Sequence, residues 1–90
     1  MENLYNLEII TPERRFFSEN VEMVCLKTPE GEIGILKNHM AMVTAVKAGP
    51  IRILQGGAWL EAVLSEGFME IKQDGTIIFT DSAEWVRGKI

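Results

Sequence analysis

Turn signals recur in this chain every several residues, and short runs between them alternate apolar with polar side chains. The punctuation falls at Thr11-Pro12-Glu13, Ser18-Glu19-Asn20, Pro29-Glu30-Gly31-Glu32, Gly49-Pro50, Gln55-Gly56-Gly57-Ala58 and Asp74-Gly75. Proline lacks an N–H and restricts the residue before it, while Asn, Asp and Gly supply turn chemistry. A helix needs roughly ten residues or more at 3.6-residue spacing, and few intervals here leave that room. Period two places alternate side chains on opposite faces of a strand. The segments 4–10, 21–28, 42–48, 59–65, 68–72 and 76–80 read that way, with shorter pieces at 14–17, 33–36 and 51–54. Glu66-Gly67 reads as a kink or bulge, because a glycine inside a strand pattern usually marks one.

Eight to ten short strands joined by short turns predict an all-β fold, an antiparallel sandwich of two roughly five-stranded sheets. The connections are too short for the helices that parallel crossovers require, so pairing should be mostly antiparallel. After Thr80 the pattern changes. Asp81 or Ser82 suits a helix N-cap, Glu84 the first turn, and Arg87 and Lys89 the later positions. The expectation is a sandwich over 1–82 and the start of a helical segment over 83–90.

A chain of 90 residues forms one domain with one core. Its 47% hydrophobic and 24% charged residues are ordinary for a folded domain. Thirteen acids against nine bases leave a formal charge of -4 without a basic cluster, which argues against phosphate-backbone binding. The lone Cys25 excludes an internal disulfide. The first ten residues lack the pattern of a signal peptide, and no apolar run approaches the roughly 20 residues that cross a bilayer. No nucleic acid, direct membrane insertion or cofactor is expected.

His39 is the natural catalytic suspect. A general base needs an orienting partner and a nucleophile within reach, and no context singles out Ser18, Ser65 or Ser82 as activated. The structural or interfacial reading of His39 therefore outweighs the catalytic one. One His and one Cys cannot compose the usual zinc site. Gly31 and Gly34 frame an acid rather than a phosphate cradle and are better read as turn positions. Met40 and Met42 suit core filling or an adaptable contact surface equally. The 37–42 segment thus reads as a surface that meets a partner. Trp59 with Trp85 is the one pair that could build a sugar-binding platform, which keeps a small-ligand- or carbohydrate-binding sandwich as the alternative. A lipoyl-type carrier has less support, since Lys72 precedes Gln73-Asp74-Gly75 rather than standing at a hairpin tip.

Five ordered motifs carry a resemblance. They are Val21-Glu22-Met23-Val24 after Phe17-Ser18, Glu30 to Leu36 (EGEIGIL), His39 five residues past Gly34, Ile51-Arg52-Ile53, and Leu64 to Ile71 (LSEGFMEI). The chain resembles the N-terminal β-sandwich domain of the epsilon subunit of F-type ATP synthase. The resemblance implies a non-catalytic piece of the central rotor stalk that contacts the gamma subunit along one side and the c-subunit ring at one end. It implies a peripheral position on the cytoplasmic face of the bacterial membrane. By position, Glu32 matches a residue of the loop facing the ring. His39 and Thr44 lie where the family meets gamma, and Thr11 is another position near gamma. Met40 and Met42 suit the same packed contact.

Family members commonly carry Pro-Gly before the histidine, where this chain has Lys37-Asn38. Asn tolerates left-handed geometry, so the turn is expected to survive. The family chain continues into a helical hairpin that inhibits ATP hydrolysis and, in some members, binds ATP. This chain stops at Ile90, about where that hairpin would begin, so ATP binding is not expected of it. Glu84 matches an acid that helps hold ATP in binding members, but it cannot form the site alone.

Overall fold

The computed structural model describes residues 3–88, and every regular element in them is a strand. In chain order these are β1 (Tyr5–Ile10), β2 (Arg15–Val21), β3 (Met23–Thr28), β4 (Gly31–Ile35), β5 (Met42–Val46), β6 (Gly49–Gln55), β7 (Ala58–Leu64), β8 (Gly67–Lys72), β9 (Gly75–Thr80) and β10 (Ala83–Arg87). They form two five-stranded sheets, ordered β2-β1-β9-β8-β5 and β10-β7-β6-β3-β4. The predicted sandwich is what the chain adopts.

Period-two patterning builds the layer between the sheets. Leu7 and Ile9 of β1, Val24 and Leu26 of β3, Ile51 and Ile53 of β6, and Met69 and Ile71 of β8 all point inward and are buried. Each such side chain contributes roughly 1.5–3 kcal/mol when fully buried. Because strands from both ends of the sequence meet in this layer, no hairpin could form it alone.

The antiparallel expectation holds for every pair but one. β1 and β9 run parallel, in register Glu8↔Ile77 and Ile10↔Phe79. The many residues between them, including four other strands of the second sheet, provide the return path that a parallel pair requires.

Three local expectations are corrected. Ser18-Glu19-Asn20 is not a turn but the middle of β2, paired with Glu8, Leu7 and Asn6. The segment 21–28 is not one strand. The chain leaves the first sheet at Val21, bends at Glu22 and enters the second at Met23, so the inward phase shifts from odd to even positions. Gly49-Pro50 opens β6, opposite Leu64 and Val63, and the chain turns just before it, at 47–48. Pro50 lies beyond the last β3 pair on that strand, Cys25↔Arg52, where a missing donor is tolerated.

Among the described residues the predicted helical start is also absent. Residues 83–87 form β10, with Ala83 opposite Leu64 and Trp85 opposite Ala62. Trp85 stacks on Phe16 at 4.7 Å between centroids and meets Phe17 edge-on at 5.8 Å. Ser82 donates its N–H to Ser65 Oγ, and the Ser65 N–H bonds the Ser82 carbonyl. A one- or two-turn helix is marginal in isolation, whereas this strand gains a ladder and a buried aromatic contact. The expected sandwich boundary at residue 82 therefore moves past β10. Lys89 and Ile90 lie outside the described residues, as do Met1 and Glu2.

Gly67 opens β8 against β9 at very close range. A Cβ built there would stand 1.9 Å from the Phe79 carbonyl oxygen, so only glycine fits. The kink expected at Glu66-Gly67 is thus a sheet crossing followed by a tight backbone approach.

Candidate partner-binding surfaces

Loop 36–41 carries the chain from the end of β4 to the start of β5, the edge strands of the two sheets. Its turn is closed by the His39 N–H on the Leu36 carbonyl at 3.2 Å. Asn38 has φ of 71°, a left-handed conformation that asparagine accepts more readily than most side chains. The turn therefore persists without Pro-Gly.

His39 is half-buried, and its Nδ1 lies 2.9 Å from the Met40 carbonyl. A carbonyl oxygen only accepts, so Nδ1 is the protonated nitrogen in this contact. Two of the three serine hydroxyls, those of Ser18 and Ser65, are engaged elsewhere. Ser18 bonds Glu8, while Ser65 meets Thr80 Oγ1 at 2.7 Å and receives the Ser82 N–H. Among the described residues no group of three or more His, Cys, Asp and Glu side chains could hold a metal ion.

The two methionines divide the readings left open for them. Met42 packs against the core, whereas Met40 is 71% exposed at the loop tip beside exposed Leu36. Thr44 points inward from β5, half-buried, with its hydroxyl on the Ala45 carbonyl. Thr11 is buried at the opposite end of β1, where its hydroxyl and the Arg14 backbone lock the β1–β2 turn. Loop 36–41 leaves β4 at Ile35, whose carbonyl is bonded by Tyr5 at the start of β1, so Thr11 and His39 lie at different ends of the sandwich.

Glu32 stands on edge strand β4 rather than in a loop, facing outward opposite Lys27. Its carboxylate lies 3.6 Å from the Arg52 guanidinium, which itself sits 5.2 Å over the Trp59 ring. Acids and bases alternate on this outer face, since Glu61 also stands opposite Arg52. Glu84 is exposed on β10. Trp59 points outward from the second sheet while Trp85, opposite Ala62, points inward, so the two indoles build no common platform. Lys72 closes β8 opposite Gly75, within a strand rather than at a turn tip.

The outer face of the first sheet carries a feature that the sequence reading missed. One row across the strands is apolar, Ala45–Phe68–Phe79–Ile10, each residue paired with the next. Phe68 is 63% and Phe79 47% exposed, and Val43 on β5 is 68% exposed. The row runs into a groove of about 810 Å³ at the Thr11 end, lined by Phe68, Phe79, Pro12 and Pro29 among others. An exposed apolar row of this kind is a candidate contact surface. A signal existed in the chain: β9 reads Thr-Ile-Ile-Phe-Thr and buries its threonines while turning Phe79 out.

The family model described as "ATP synthase, Delta/Epsilon chain, beta-sandwich domain" matches residues 4–86. The chain is 44% identical over 85 residues to the ATP synthase epsilon chain of Alkaliphilus oremlandii, covering 94% of this chain and 63% of that one. It is 48% identical over 79 residues to that of Ruminiclostridium cellulolyticum, covering 88% and 59%. The chain thus spans about three fifths of the length of these relatives. In fold it is similar to a chain of the Euglena gracilis mitochondrial ATP synthase, in a structure of OSCP, F1 and c-ring. The TM-score there is 0.87 at 24% identity, over 94% of this chain and 55% of that one. A chain of the Tetrahymena thermophila central stalk and c-ring gives a TM-score of 0.76 at 15% identity, over 88% and 64%.

Proposed function

The chain belongs to the ATP synthase delta/epsilon β-sandwich family, and from that premise we propose that it is a non-catalytic element of the central stalk. In this reading it binds the gamma subunit and the c-subunit ring, so that ion flow through the ring turns gamma. It works at the membrane surface as part of the complex, on the cytoplasmic face in a bacterial cell. Among the described residues no helix is long and apolar enough to cross a membrane.

The observation that carries the reading is the exposed Phe68–Phe79 row on a chain of this family. A small sandwich that turns two phenylalanines outward on one sheet leaves apolar area that a neighbour is needed to cover. Along the adjoining side, β5 with Thr44 and the loop tip with His39 and Met40 supply further contact with gamma, and Thr11 holds the turn beside the groove. Glu32 contributes a rim charge towards the ring, setting orientation more than affinity.

Reconstitution tests the proposal. The chain is mixed with F1 stripped of its own epsilon chain, and separately with F1 joined to the c-ring, and complexes are isolated by size exclusion. Co-elution at micromolar concentration is expected. Failure to associate with either assembly would overturn the reading.

A further inference from the structure

We propose that the outer face of the β2-β1-β9-β8-β5 sheet accepts a partner surface built as an apolar ridge bordered by two basic side chains about 10 Å apart. The inference rests on the stalk reading and specifies the chemistry of the partner's docking surface.

Strand register carries it. Beside the row Ala45–Phe68–Phe79–Ile10 lies a second, Val43–Glu70–Ile77–Glu8, again one residue from each strand. The first row is wholly apolar and spans four strands, roughly 14 Å at the usual strand spacing. In the second, two acids alternate with two apolar residues. Glu70 and Glu8 are two strands apart, which sets their separation near 10 Å.

The two faces of the sandwich differ in how they satisfy charge. On the opposite face the Glu32 carboxylate pairs with Arg52, and Lys27 and Glu61 stand across the strands from Glu32 and Arg52, so acids there have bases as neighbours. On this face the cross-strand neighbours of Glu70 are Val43 and Ile77, and those of Glu8 are Ile77 and Ser18. The Ser18 hydroxyl donates to Glu8 at 3.3 Å. Lys72 shares the face one row away, and among the described residues it forms no ion pair with either acid. Arg15 ends the apolar row on β2, opposite Ile10.

A partner that buried the apolar row would bring its own groups against Glu70 and Glu8. Desolvating a carboxylate without a counter-charge is costly, and like charge there would repel. The partner therefore carries Lys or Arg at those two places. The groove at the Thr11 end, which Pro12 and Pro29 help to line, seats the end of its apolar ridge.

The test measures affinity for F1 stripped of its epsilon chain, at low and at moderate salt. Four proteins are compared: the unaltered chain, Glu8→Gln/Glu70→Gln, Phe68→Ser/Phe79→Ser, and the charge-matched control Glu61→Gln/Glu84→Gln on the opposite face. The first double variant should bind on the order of tenfold more weakly at low salt, with a flatter salt dependence. The phenylalanine pair should bind weakly at every salt concentration, and the control should bind as the unaltered chain does. Melting temperatures of all four confirm folding. Unchanged binding by the Glu8/Glu70 variant, or an equal loss in the control, overturns this inference while leaving the stalk reading in place. No binding by the unaltered chain overturns both.

Discussion

The Tyr5 hydroxyl donates a 2.6 Å hydrogen bond to the Ile35 carbonyl, joining the first strand to the point where the chain leaves for the His39 loop. The bond is buried and crosses between the sheets. It thereby fixes the root of one contact surface against the core.

Tyr5→Phe should keep the ring's packing and leave the Ile35 carbonyl buried without that partner. The expected cost is about 1–3 kcal/mol, or several degrees of melting temperature at about 4–8 °C per kcal/mol. Urea denaturation of the two proteins measures it.

Burial, and secondarily the neighbouring Cys25, push the Tyr5 hydroxyl's pKa well above its ordinary value of 10.0, against a lowering from a Val24 backbone contact. Above that ordinary value the unfolded chain loses this proton while the folded chain keeps it, so the unfolded state binds fewer protons and stability falls as pH rises. Below it the contribution is level. The difference in stability between the unaltered chain and Tyr5→Phe should therefore shrink from about pH 10 upward. Tyr5 is the only tyrosine, so phenolate absorbance reports its ionisation directly. A phenolate appearing at ordinary pH in folded protein would contradict the buried hydrogen bond.

Gly67→Ala meets the Phe79 carbonyl head on, because no flexible side chain can yield there. The β8–β9 ladder must shift, at a cost of about 3 kcal/mol or more. Truncation at an exposed position, Leu36→Ala, should move the urea midpoint little. Similar midpoints for the two variants would argue that the strands do not approach so closely.

Trp85→Ala removes the stack on Phe16 and the contact with Phe17. The half-buried ring should cost about 2–4 kcal/mol. Amide exchange supplies an independent check on the last strand: Trp85, paired with β7, should be protected alongside Ala62. Rapid exchange across 83–86 in the unaltered chain would remove β10.

Glu32→Gln should alter stability by less than about 1 kcal/mol, because its Arg52 contact is a solvent-exposed ion pair. Glu32→Lys should cost more, setting a third cation beside Lys27 and Arg52. If the ring reading is sound, Glu32→Gln lowers affinity for F1 with c-ring severalfold at nearly constant melting temperature. Parallel loss of both would make Glu32 a structural residue.

Local patterning alone was enough to reveal the strands and most of the core. Leu7, Ile9, Ile51, Ile53, Met69 and Ile71 all lie where period two places them, since alternation is a property of a single strand and needs no neighbour. The motif order likewise pointed to the family, and Asn38 could be expected in its left-handed turn.

Tertiary pairing decided the rest. Whether 83–87 coiled or extended depended on Trp85 finding Phe16, nearly seventy residues earlier. The shift of phase at Glu22 and the parallel β1–β9 pair depended on which sheet each strand joined. Periodicity divides a strand's side chains between two faces but does not say which face is covered. Phe68 and Phe79 look like core in the chain and lie on the surface, because only the stacking of one sheet on the other assigns inside and outside.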